Sequence, residues 1–172
     1  MEVKLLEDKR LIWGKIALKS YKLIPDWISC MKSARATLVM SGVGRFNYFR
    51  GMTNEELYDK LILLNYRMQG IVNLKVLTEL AIDRLAEPYR SVMSEIHLSK
   101  VSIADYASRH FITKRTVYNY LKRGFRLFCA ELCNMGYTPE KFEMEYKEEP
   151  LLELVKKRLN NKNNQSSKSS KS

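Results

Sequence analysis

Val101-Ser102-Ile103-Ala104-Asp105-Tyr106-Ala107-Ser108-Arg109-His110-Phe111-Ile112-Thr113-Lys114-Arg115-Thr116-Val117-Tyr118-Asn119-Tyr120-Leu121-Lys122-Arg123 is the stretch whose reading decides the fold. Two hydroxyl residues, Ser102 and Thr113, stand 11 residues apart, each directly before a segment of helical character. A hydroxyl there can accept a bond from one of the N–H groups that a helix leaves without partners at its start. The Ser102 helix has room for about two turns, and Arg109 to Ile112 form a tight connection to the next. Ile103, Ala107, Val117 and Leu121 fall where the two helices must pack together, and Ala107 is small enough to let them cross closely. The spacing predicts a helix-turn-helix whose second helix presents its first turns outward.

That outward face carries Lys114, Arg115, Tyr118, Asn119, Lys122 and Arg123. Arg and Lys suit guanine O6 and N7, Asn suits adenine N6 and N7, and Tyr suits a phosphate or a thymine methyl. The N–H groups that follow Thr113, through Thr116, can grip a phosphate at the helix N-terminus. On this reading Lys114, Arg115 and Asn119 reach base edges, while Arg109, Lys122 and Arg123 lie nearer phosphates. The bland alternative is a helical hairpin whose charged face is merely solvated.

Charge placement favours the first reading. The chain has 30 Lys+Arg against 19 Asp+Glu, a net +11 with an isoelectric point near 9.6, which points to polyanionic partners. Lys100 to Arg126 carries a net +6, and Lys156 to Ser172 another +6 with no acid. The rest is close to neutral, so the positive charge is gathered in two places.

Upstream, Leu5, Leu6, Ile12, Trp13, Ile16, Ala17 and Leu23 mark one helical face over about Val3 to Leu23. Pro25 punctuates it, and Asp26 to Met31 fit a short second helix. Ser33 to Met52, with Ser41-Gly42-Val43-Gly44 and the aromatic-basic run Arg45-Phe46-Asn47-Tyr48-Phe49-Arg50, reads as a loop or partly ordered connection. That run would either stack on unwound DNA or pin a loop by its aromatics. Thr53-Asn54-Glu55-Glu56 is a capping box opening a long helix. Leu57, Leu61, Leu64, Met68, Ile71, Leu74, Thr78, Ala81 and Leu85 form its stripe, to be covered by the N-terminal helix, by a second subunit, or by both.

Downstream, Pro88 fits the start of a helix running to about His97. The Thr113 helix runs to about Cys133, where Asn134 and Gly136 stop it, and Thr138-Pro139-Glu140 opens another. A last amphipathic helix starts near Pro150, and Asn160 to Ser172 is expected to be a disordered basic tail. No strand alternation of useful length occurs, so the expected fold is all-α. Its divisions are N-terminal helices and an irregular connection over 1–52, a long connecting helix over 53–86, a helix-turn-helix domain over 87–136, short helices over 137–159, and the tail over 160–172.

Three cysteines without framework spacing argue for a reducing compartment. The N-terminus is too polar for a signal peptide, and no apolar run approaches the roughly 20 residues that span a bilayer. The chain is therefore expected in the cytoplasm, at the bacterial nucleoid, or in the host cytoplasm if phage-encoded. Cys129 and Cys133, one helical turn apart, read as buried apolar thiols rather than half a metal site. His97 and His110 have no partner at catalytic spacing, and Ser41-Gly42-Val43-Gly44-Arg45 lacks the Gly-Lys-Ser/Thr of a phosphate loop. No catalytic residue, metal or cofactor is expected.

Leu85 to Arg90, Ser102 to Ala107, Thr113, Thr116-Val117 and Lys122 to Arg126 together resemble region 4 of the sigma-70 family of transcription factors, a likeness that covers Leu85 to Leu132. The wider layout is similar to the ArpU/RinA/LtrC-type regulators of phages and mobile elements. The chain departs from the pattern at Gly124, where the family carries alanine, and at Arg109-His110-Phe111, where it carries a glycine. No polymerase-core-binding segment stands out in the first 85 residues. The resemblance implies a transcription regulator that engages promoter DNA and RNA polymerase. Double-stranded DNA is thus the first partner expected, with RNA polymerase and a second copy of the chain, paired through the long helix, as further partners. The competing expectation is an accessory protein that docks on polymerase or a recombinase, with DNA contact secondary.

Overall fold

A computed structural model describes residues 2–43 and 52–169. Among these residues there is no strand, and the fold is all-α. The elements are α1 (Glu2–Tyr21), α2 (Ile24–Val43), α3 (Asn54–Asp83), α4 (Tyr89–Met93), a π-helical turn (Ser94–Leu98), α5 (Ile103–Arg109), α6 (Lys114–Asn134), α7 (Pro139–Tyr146) and α8 (Pro150–Ser169).

The helix starts follow from local chemistry. Thr53 and Glu56 close the capping box: the Glu56 amide donates to Thr53 Oγ1 at 3.2 Å, and the Thr53 amide donates to Glu56 Oε2 at 2.7 Å. Thr138 accepts the Lys141 amide at 3.4 Å, with Pro139 in the first turn where its missing N–H costs nothing.

Three expected boundaries are corrected. Residues 33–43 are not a loop, because α2 runs on to Val43. Ala34, Arg35, Ala36, Leu38 and Met40 are good helix formers, and they outweigh the Ser-Gly pair at the end. Pro25, expected between the first two helices, falls inside the first turn of the second, where a proline is tolerated. The helix from Pro150 extends to Ser169 rather than fraying at Asn160. No glycine or proline stands in Leu151 to Ser169, and adding residues to a formed helix is far cheaper than starting one.

The chain divides into two compact units, one comprising 2–22 and 74–169 and the other Leu23–Asn73. This cuts across the divisions read from sequence, because α1 belongs with the C-terminal helices. A stripe of apolar residues shows which face is buried but not which helix covers it.

In the first unit α1 packs on α6, α7 and α8. Trp13 stacks on Phe142 with ring centroids 5.7 Å apart and planes 8° from parallel. Ile16, Ala17, Phe128, Leu132, Tyr146, Leu151 and Val155 complete a buried core around them. Gly14 sets the approach of α1 to α6, since a Cβ there would lie 2.3 Å from Cys129 Sγ. Leu74, Thr78, Ala81 and Leu85 are buried in the chain, so the C-terminal half of the long stripe is core and not a subunit seam. Thr78 spends its hydroxyl on the Leu74 carbonyl at 2.8 Å. In the second unit Ile24, Met31 and Ile71 are buried.

Replacing Gly14 with Ala gains up to about 1 kcal/mol of helix propensity but collides with Cys129, an overpacking cost of about 1–3 kcal/mol. Thermal unfolding should therefore show a net loss for Gly14→Ala that Cys129→Ala largely reverses in the double variant. Independent, additive effects would mean that the two helices are not in contact there.

His97, in the π-helical turn, has its pKa lowered to about 4 by burial and by the charges of Lys22 and Lys19. It folds neutral but takes up a proton near pH 6.5 once unfolded. Its stabilising contribution is thus present above pH 6.5 and lost as pH falls toward 4, amounting to about 3 kcal/mol. Denaturant melts between pH 7 and 4 should show that decline, and His97→Gln should flatten it.

Candidate nucleic-acid interface

Both caps form as the spacing requires. Ser102 Oγ accepts the Asp105 amide at 3.1 Å and donates to Asp105 Oδ2 at 2.7 Å. Thr113 Oγ1 accepts the Thr116 amide at 3.2 Å and lies 2.9 Å from Thr116 Oγ1. Between them the chain turns within four residues, tied by Phe111 N–H to the Ser108 carbonyl at 3.3 Å and by Ile112 N–H to the Ala107 carbonyl at 3.0 Å. Ala107 and Val117 are buried at the crossing of α5 and α6, with Ile103 and Leu121 half-buried beside them.

α6 is held from further sides as well. α4 packs along it, and Gly124 permits the approach, since a Cβ there would stand 3.0 Å from Met93 Cγ and 3.4 Å from Tyr89 Cβ. Val117, Gly124, Phe128, Cys129 and Leu132 are all buried along its inner side. At 100° per residue, the opposite side is left to Lys114, Arg115, Tyr118, Asn119 and Lys122, and each of these is exposed.

Two of the expected site residues are engaged within the chain. Arg109 Nη1 lies 3.4 Å from Glu95 Oε2, although the arginine side chain remains 59% exposed. The Arg123 guanidinium sits 5.5 Å from the centre of the Tyr89 ring, a cation–π contact, and Tyr89 meets Tyr120 edge to face at 6.0 Å. Thr116 is half-buried and serves the cap. Arg126, one turn beyond Lys122 and exposed, extends the cationic face, and its i,i+4 spacing was a legible signal.

Glu95 is the residue that sequence reasoning missed. The turn after α4 is π-helical, with Ser99 N–H bonding the Ser94 carbonyl at 3.0 Å and Val101 N–H bonding the Glu95 carbonyl at 2.9 Å. This wider winding sets Glu95 against the end of α5. Its carboxylate meets Arg109, His110 Nε2 at 3.1 Å and Ser91 Oγ at 3.3 Å, and Ser91 Oγ lies 3.0 Å from Tyr106 Oη. The Tyr106 ring stacks on His110 at 4.2 Å. One carboxylate thus ties the π-helical turn to the end of α5; no local motif announces a contact made across 14 residues.

No family model, no curated protein and no solved structure matches the chain. Among the described residues no group of three or more His, Cys, Asp and Glu could hold a metal ion. Burial pushes the Cys129 thiol up to about 12 and also raises that of Cys133, so both stay protonated and apolar at neutral pH. No helix among the described residues is long and apolar enough to cross a membrane. The Arg45 to Arg50 run lies outside the described residues.

Phe111 occupies the turn with φ at +52°, and its ring is 96% exposed. The left-handed conformation costs a residue with a Cβ about 1–2 kcal/mol, and this side chain returns no packing. Stability measured by denaturant should therefore rise by up to about 1 kcal/mol in Phe111→Gly and fall in Phe111→Val, where β-branching worsens the strain. A loss in the glycine variant would mean that the ring supports the turn.

Proposed function

We propose that the chain is a transcription regulator that binds double-stranded DNA in a sequence-specific manner through α6, without a catalytic step. The observation that carries this reading is the side-by-side exposure of Lys114, Arg115, Tyr118, Asn119 and Lys122 on a helix whose inner side is held by buried Val117, Gly124, Phe128 and Leu132. A major groove about 12 Å wide admits such a helix. The first turns of α6 enter, so that Lys114, Arg115 and Asn119 meet base edges while Lys122 and Arg126 follow the phosphates. The amides capped by Thr113 lie at the positive end of the helix dipole and favour a phosphate nearby.

Arg109 and Arg123 act as exchangeable contacts. Each is held by a partner in the free protein, Glu95 and the Tyr89 ring respectively, and a DNA phosphate competes for each. The held arginine loses less freedom on binding than a loose one, which offsets part of the cost of leaving its partner. The cations at the start of α8, with Lys157 and Arg158 exposed, supply a second region for nonspecific phosphate attraction. The working compartment is the cytoplasm, at the nucleoid of a bacterial cell or of a phage host. RNA polymerase is the protein partner that fits a sigma-like regulator.

Selection of bound fragments from random duplexes, with and without RNA polymerase, supplies the test sequence. On that site Asn119→Ala or Arg115→Ala should cost about 1–3 kcal/mol and relax specificity at one base position, whereas Lys122→Ala should weaken all duplexes alike and flatten the salt slope by about one. Equal losses from both kinds of change on every duplex would remove base readout. Capture of polymerase or a recombinase that survives charge reversal at Lys114 and Arg115, with no duplex bound, would replace the reading with protein docking.

A further inference from the structure

The helix α3 is apolar on more than one side. In the Leu23–Asn73 unit its half-buried stripe is Leu57, Leu61, Leu64 and Met68, with Ile71 fully buried beyond. Another set, Tyr58, Ile62 and Tyr66, follows at spacings of four and is exposed by 66%, 65% and 70%, with Leu63 at 49% beside it. Spacings of four keep these side chains on one face. Helices that are apolar on all sides are covered on all sides, and large exposed rings in register are uncommon on a surface that meets only water.

We infer that this face is a two-fold interface with a second copy of the chain, the two α3 helices running antiparallel and crossing at Ile62. The polar residues around the patch select that arrangement. Glu55, Asp59, Asn65 and Gln69 are all exposed along its margins. With Ile62 on the axis, Tyr58 of one copy meets Tyr66 of the other, and Glu55 meets Gln69. The Glu55 carboxylate then faces an amide that can donate to it. A parallel pairing would instead bring Glu55 against Glu55, with like charges opposed. The cations of this stretch, Lys60 and Arg67, lie nearly half a turn away from Ile62, so the repulsion between two basic chains is not focused on the seam.

The area suits a reversible contact. A tyrosine two-thirds exposed offers roughly 100–150 Å², so two copies with their margins remove about 900 Å², near the lower end of specific interfaces. Association is therefore expected in the micromolar range. This interface goes beyond the proposed DNA binding and holds whether or not α6 enters a groove. If both hold, the bound DNA would carry paired half-sites.

The test uses the full chain without DNA, in a Cys30→Ser background because Cys30 is exposed. Sedimentation should show a concentration-dependent dimer that Ile62→Lys weakens at least tenfold while helical content stays unchanged. Ile62→Cys should cross-link to itself through a short bismaleimide. A mixture of Tyr58→Cys and Tyr66→Cys chains should cross-link between the two variants, whereas Tyr58→Cys alone should react several-fold more slowly, its two thiols standing about 12 Å apart along the axis. A monomer up to roughly 100 μM, a dimer indifferent to Ile62→Lys, or ready cross-linking of Tyr58→Cys with itself would each overturn the interface.

Discussion

The burial of one side of α6 is the constraint on which the rest of the molecule depends. Val117, Gly124, Phe128 and Leu132 are buried, with α5 and α4 lying along one end of the helix and α1 along the other. Burying the side chains of Val117, Phe128 and Leu132 contributes about 1.5–3 kcal/mol each, more than any surface contact in the chain can oppose. Once that side is fixed, the helical repeat leaves Lys114, Arg115, Tyr118, Asn119 and Lys122 no place but solvent. The cationic face is thus a consequence of core packing.

Electrostatics then sets how that face is presented. Glu95 holds both Arg109 and His110 at the end of α5. Surface ion pairs of this kind are worth little to stability. Their consequence is geometric: the turn carrying Phe111 is held although its backbone is left-handed without a glycine. The Tyr89 ring does the same for Arg123 by a cation–π contact. Two cations of this face are thus held in fixed orientations within the chain.

The long helix α3 shows how a single element can serve several tasks. Its C-terminal residues Leu74, Thr78 and Ala81 are core, while Tyr58, Ile62 and Tyr66 lie exposed in the other unit. Tyr21, whose hydroxyl donates to Glu79 at 2.5 Å, has its pKa raised to about 12 by burial and by that carboxylate, and so stays a donor throughout the physiological range. Lys75 pairs with the same Glu79 at 3.2 Å.

Sequence alone determined the features that rest on neighbours within a turn or two. The capping hydroxyls of Thr53, Ser102, Thr113 and Thr138, the all-helical class and the two-helix crossing at Ala107 and Val117 all depend on short spacings, and short spacings are what a chain records directly. The extent of α2 and α8 was less legible, because Ser, Gly and Asn weaken a helix by amounts that an already formed helix absorbs. Tertiary structure decided what depends on residues far apart in the chain. That α1 joins the C-terminal helices, that Gly14 yields to Cys129, that Glu95 reaches Arg109 through a π-helical turn, and that α3 leaves a second apolar face in water are contacts between faces. A one-dimensional pattern shows that a face must be covered, and only packing chooses the cover.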